Sequence, residues 1–137
     1  MQLDPSFVET WSPRALAALR IVTAYLFLQH GTAKVLHVPH VAMFDNLQLM
    51  SLMGLAGVLE LVGGVLLVIG LFTRPVAFIL SGEMAAAYFM AHAPQGPLPP
   101  VNKGEVAVLY CFLFLYIAAR GPGRYSIDAS MRSSAGR

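Results

Sequence analysis

Four ionisable residues interrupt long apolar stretches of this sequence: Arg20, Glu60, Glu83 and Glu105. A charge at the centre of a bilayer costs at least ~2.5–3.5 kcal/mol, so such groups are rarely left unpaired or turned to lipid. Three acids and one base imply one ion pair plus extra carboxyls that can give and take protons. Glu60 and Glu83 are therefore the candidate catalytic residues. Helix rise sets their depths. With helices starting at Pro13 and Pro75, Arg20 lies ~10 Å and Glu83 ~12 Å from the same end; Glu60, counted back from Phe72, lies ~18 Å in. A long Arg side chain spans that difference. The expectation is a buried contact of Arg20 with Glu83, Glu60 or both.

A second polar group gathers near the opposite ends of the apolar runs. Gln29, His30 and Lys34 close the first, His92 closes the third, and Asn102, Lys103 and Glu105 open the fourth. Tyr88 and Tyr110, close in depth to the acids, could stack on a ring ligand or hydrogen-bond to it. The candidate ligand-binding set is thus Arg20, His30, Lys34, Glu60, Glu83, Tyr88, His92, Asn102, Glu105 and Tyr110. The plainer alternative is an Arg–Glu pair that only fixes helix register. His37 and His40 fall in a loop and read as solvated or interfacial. Nothing in the spacing of His30 and His92 demands a haem or a metal, and no metal site is expected. Cys111 is the single cysteine, which excludes an internal disulfide and a CxxC pair and reads as packing. No hydrolase nucleophile, phosphate loop, HExxH or dinucleotide glycine pattern is present.

The elements that position these groups follow from composition. Apolar residues make up 57% of the 137 and charged ones 12%, about half the charge of an ordinary soluble domain. The surplus apolar surface must face lipid. A net charge of +2, without a Lys/Arg block, gives no ground for nucleic-acid binding. Four apolar runs, about 13–29, 51–72, 75–91 and 103–119, are each near the ~20 residues that cross a bilayer as a helix. None alternates with period two, and lipid demands that backbone groups pair internally, so the runs read as helices. The fold class is all-α: an integral-membrane, antiparallel up-down four-helix bundle over 13–120. A polar segment, 1–12, precedes it. It lacks the basic n-region of a signal peptide, so the first run is expected to remain as a span. A basic, mobile tail, 121–137, follows.

Thr73-Arg74 makes a tight turn between the second and third helices. Residues 31–50 form a longer connection, in which Val41 to Met50 could lie as a short amphipathic helix at the interface. Ala93 to Pro100 carries four prolines and is expected to be non-helical and partly extended. Paired glycines such as Gly54, Gly57, Gly63 and Gly64 mark close helix contacts. Arg14, Arg74, Arg120, Arg124, Arg132 and Arg137 fall on one side and only Lys34 and Lys103 on the other, which places both termini in the cytoplasm.

The ordered set Arg20, Gln29-His30-Gly31, Lys34, Leu59-Glu60-Leu61-Val62-Gly63-Gly64, Gly70-Leu71-Phe72-Thr73-Arg74, Gly82-Glu83-Met84-Ala85, Tyr88-Phe89, Asn102-Lys103-Gly104-Glu105 and Gly121-Pro122-Gly123-Arg124-Tyr125-Ser126-Ile127-Asp128 resembles the DoxX family over roughly residues 14–129. Lys103 departs from the Gly that members often carry there. The resemblance implies a four-helix protein of the bacterial inner membrane associated with redox chemistry, similar to subunits of a thiosulfate:quinone oxidoreductase or to membrane partners of oxidative-stress enzymes. The expected function is a membrane subunit that binds a quinone-like or other hydrophobic ligand inside the bundle. The chain shows no flavin, haem or iron–sulfur motif, so a redox partner subunit would carry the electrons. Alternatives are a non-catalytic scaffold for a partner enzyme, or a small transporter that would need a homodimer to build a path.

Overall fold

The computed structural model describes residues 4–136. These form six α-helices and no strand among the described residues. Helix α1 runs from Pro5 to Val35 and starts eight residues before the predicted Pro13. Asp4 supplies the cap: its carboxylate accepts the Ser6 amide at 2.8 Å, and Pro5 sits in the first turn, where its missing N–H costs nothing. Pro13 therefore lies within the helix. It leaves only the carbonyl one turn back, at Glu9, without a helical donor, and Glu9 is exposed to other partners. Residues 1–3 of the polar segment, and Arg137 of the charge bias, lie outside the described residues.

Helix α2, Leu52–Ile69, is capped by Ser51 and ends at Gly70, whose φ of +71° suits glycine. The Leu71 amide reaches back to the Leu66 carbonyl at 2.9 Å and closes that end. Helix α3, Thr73–Ala87, follows after a tight turn and continues into one π turn, Tyr88–His92, and a 3-10 turn, Ala93–Gln95. Helix α4 is a single turn, Pro99–Asn102, and α5 runs Glu105–Arg120. The proline-rich loop is thus partly helical, because Pro94, Pro99 and Pro100 fall in the first turns of short helices, with Pro97 in the bend between them. Between α1 and α2 only Ala42–Phe44 winds into a 3-10 turn, where a short amphipathic helix was expected. Within the tail, Ser126 caps helix α6, Ile127–Ala135.

Helix α1 packs along α2, α3 along α5, and α2 meets α3. Each pair is antiparallel: Lys34 lies by Glu60 and Arg20 by Leu67, while Ser81 lies by Cys111 and Arg74 by Ala118. The shared core holds Ala24, Phe27, Leu67, Ala77, Leu80, Met84, Phe114 and Ile117. Between α1 and α2 the backbones touch. A Cβ on Gly31 would meet the Leu61 amide nitrogen at 2.4 Å, so only glycine fits. The outer faces are apolar: Val22, Val62, Phe78 and Phe112 are each more than half exposed. Helix α2 (mean hydropathy 2.4) and the continuous run Thr73–Gln95 (1.3) are long and apolar enough to cross a membrane.

Candidate functional site

Arg20 does not meet the acids. Its guanidinium is buried and turns toward the nearer end of the helices, where Nε donates to the Leu67 carbonyl at 3.0 Å, Nη1 to the Pro122 carbonyl and Nη2 to the Tyr125 carbonyl at 2.7 Å. The expected Arg20–Glu83 or Arg20–Glu60 contact is therefore corrected. The reason is local: carbonyls at the C-terminus of α2 and in the Gly121–Tyr125 turn carry partial negative charge and keep a lone pair to spare, Leu67 accepting only a 3.2 Å bond from the Gly70 amide at its own helix end. A planar fork of donors satisfies three of them at once.

The partner of Glu60 is Lys34, with Nζ to Oε1 at 2.7 Å. Gly57, one turn before Glu60, makes this reach feasible, because a Cβ there would stand 2.8 Å from the Lys34 Cβ. The pair is sheltered: Glu60 is 3% and Lys34 12% exposed. Glu60 Oε2 is buried without a hydrogen-bond partner, and so are both carboxylate oxygens of Glu83. Glu83 stands within electrostatic range of both Glu60 and Lys34. One ammonium thus bonds one carboxylate and acts at longer range on a second, and three of the four carboxylate oxygens have no hydrogen-bond partner among the described residues.

An aromatic wall borders this group. Tyr110 of α5 stacks on Phe114 (5.7 Å between centroids), meets Phe27 of α1 at 5.2 Å and stands edge-on to His30 at 6.1 Å. His30 lies in the field of Glu60, which also reaches Tyr110. Of the sequence-predicted set, Lys34, Glu60, Glu83, His30 and Tyr110 come together.

Asn102, His92 and Tyr88 form a separate group that shapes the loop. Asn102 is fully buried. Its amide donates to the Gly96 carbonyl at 2.8 Å, its oxygen accepts the Gly104 amide at 2.8 Å, and its own carbonyl bonds His92 Nδ1 at 3.0 Å. Tyr88 stacks on His92. Glu105 and Lys103 are exposed and take no part. In the connection before α2, His40 bonds Asp45 at 2.8 Å and His37 the Phe44 carbonyl at 3.2 Å.

Sequence reasoning missed the polar network at the other end. The Asp128 carboxylate accepts the Phe72 and Thr73 amides at 2.9 Å each, capping α3 from α6. Arg74 donates to the Ala118 and Ala119 carbonyls at 2.9 and 2.6 Å, capping α5. The signal available was the run Gly121 to Asp128, with breakers ahead of a Ser–Ile–Asp helix start. Two surface hollows lie at this end, one by Arg74 and Phe78 and one by Ser12 and Arg124; neither includes Glu60 or Glu83.

A family model described as DoxX matches residues 15–93, which includes Lys34, Glu60 and Glu83. An uncharacterized protein of Haemophilus influenzae is 50% identical, over 88% of this chain and 93% of that protein. No solved structure matches.

Proposed function

The chain belongs to the DoxX family, and we propose that it is a multi-pass protein of the bacterial inner membrane whose helix bundle binds a quinone-like ligand at Lys34, Glu60 and Glu83. In this reading α1, α2, α3 and α5 are the four spans, and both termini are cytoplasmic by the bias of arginines toward that side. The observation that carries the ligand reading is the set of three buried carboxylate oxygens without partners beside one ammonium. Buried acceptors left unsatisfied are costly, and a ligand bearing hydroxyl donors would satisfy them.

The residues suit a quinone head in both its forms. Lys34 can donate to a carbonyl oxygen, Glu60 and Glu83 can accept from hydroxyls, and the Phe27–Tyr110–Phe114 wall offers ring faces for stacking. A quinone supplies two-electron, two-proton redox chemistry when bound. The carboxyls would hold and pass the protons, and His30 and Tyr110 would extend that path outward. Electrons would come from a partner subunit. Arg20 leaves the ligand group and becomes an anchor for the helix ends.

The test is extraction of lipid-soluble molecules, with absorbance spectra, from gently solubilised protein. Wild type should carry a quinone, and Glu83→Gln and Glu60→Gln should each deplete it on the order of tenfold, the loss of one charge-assisted hydrogen bond. Equal occupancy in both variants would overturn the reading. Capture of a stable redox partner by the double variant, with no quinone in any sample, would favour the scaffold reading instead.

A further inference from the structure

The end of the molecule opposite Lys34 carries more arginines than its own structure uses. Arg20 and Arg74 are committed to backbone carbonyls. Arg14, Arg120 and Arg124 have no carboxylate partner among the described residues. Two of them face one place and the third stands beside it. Arg120 and Arg124 line a hollow of about 170 Å³ with Ser12 and Leu16. Arg14 and Arg124 flank the Tyr125 hydroxyl, and Arg14 foremost holds that phenol below its ordinary range. Gly123, at φ +72°, forms part of the floor; a Cβ there would stand 3.2 Å from Leu16 Cδ2.

We infer that this hollow binds the phosphate headgroup of an anionic phospholipid. Arg120, Arg124 and the Ser12 hydroxyl supply donors for a phosphodiester, and Arg14 adds a third guanidinium beside them with no carboxylate to neutralise it. The surroundings favour a lipid over free phosphate. Trp11 and Tyr125 are about half exposed, Arg14 lies 5.0 Å from the Trp11 ring, and further along α1 the apolar Ile21 and Val22 are exposed. Such amphipathic rings settle at headgroup level, with acyl chains running down the adjoining surface. The hollow accommodates a headgroup and not a whole lipid, which matches a site at the rim of the hydrocarbon.

The test uses the full chain in detergent, titrated with phosphatidylglycerol or phosphatidylcholine of matched acyl chains and read by native mass spectrometry. Each arginine near an anionic surface contributes about fivefold. Phosphatidylglycerol should bind on the order of a hundredfold more tightly than phosphatidylcholine, and Arg14→Gln/Arg124→Gln should cut that preference to about fivefold, the share of Arg120. Lys103→Gln, exposed at the other end, should leave it intact. The wild-type preference should shrink at high salt, which keeps the test decisive if the double variant fails to fold. Equal binding of both lipids, a preference unchanged in the double variant, or a preference indifferent to salt would overturn the proposal. So would inorganic phosphate that occupies the arginines while lipids show no headgroup preference.

Discussion

Lys34 stands beside two carboxylates and bonds one of them. Glu60 is held at 2.7 Å, and Glu83 is left with field but no donor. Removing one member of a buried ion pair strands the other, at a cost of about 3–5 kcal/mol. Lys34→Met should therefore lower the melting temperature in detergent sharply, and Lys34→Met/Glu60→Gln should recover much of the loss. Additive losses in this double-mutant cycle would show that the pair is not coupled. The importance of these residues was legible from their types, since ionisable groups inside apolar runs are rare. Their partners were not. Helix rise gives depth, but a long side chain can point up or down from its Cα, and Arg20 turned toward helix-end and turn carbonyls while Lys34 turned inward.

Helix ends show the same division. The start near Ser51 was readable, whereas α2 stopped at Gly70, short of the expected Phe72, and α1 overran Pro13 because Asp4 and Pro5 offered an earlier start. The cap of α3 was hidden, since Asp128 lies 55 residues further along the chain from Thr73. Burial pushes the Asp128 carboxyl up, but the Thr73 and Phe72 amides and the charge of Arg132 outweigh it and hold the group below its ordinary range. A depressed folded-state pKa gives stability that is present above about pH 4 and is lost as pH falls through the folded value. Asp128→Asn should cost about 1 kcal/mol at neutral pH. Its melting temperature should also change less than that of wild type between about pH 4 and pH 2.5. Parallel wild-type and variant pH curves would remove Asp128 from that role.

The whole-molecule pattern was the most legible part. Four apolar runs became the four long helices, and a tight turn joins α2 to α3 as expected, though it lies at 70–72 and the Thr73-Arg74 pair expected to form it opens α3 instead. Apolar residues exposed around the outside, which a soluble protein would have to hide, are what long uninterrupted runs produce. In a Cys111→Ser background, Gln95→Cys should react with a membrane-impermeant maleimide in spheroplasts, and Ser134→Cys should react only after lysis. The reverse pattern would invert the proposed orientation. The contact of Gly31 with the Leu61 backbone has one more consequence. With no side chain to slide aside, α1 and α2 leave no gap for a guest molecule from the bilayer. The seam between α1 and α5 is different: it is closed by the rings of Phe27, Tyr110 and Phe114, which can swing where a backbone cannot. On the proposed ligand reading, a lipid-soluble molecule bound for Glu83 would pass through this aromatic door, and ring rotation there would set how fast it comes and goes.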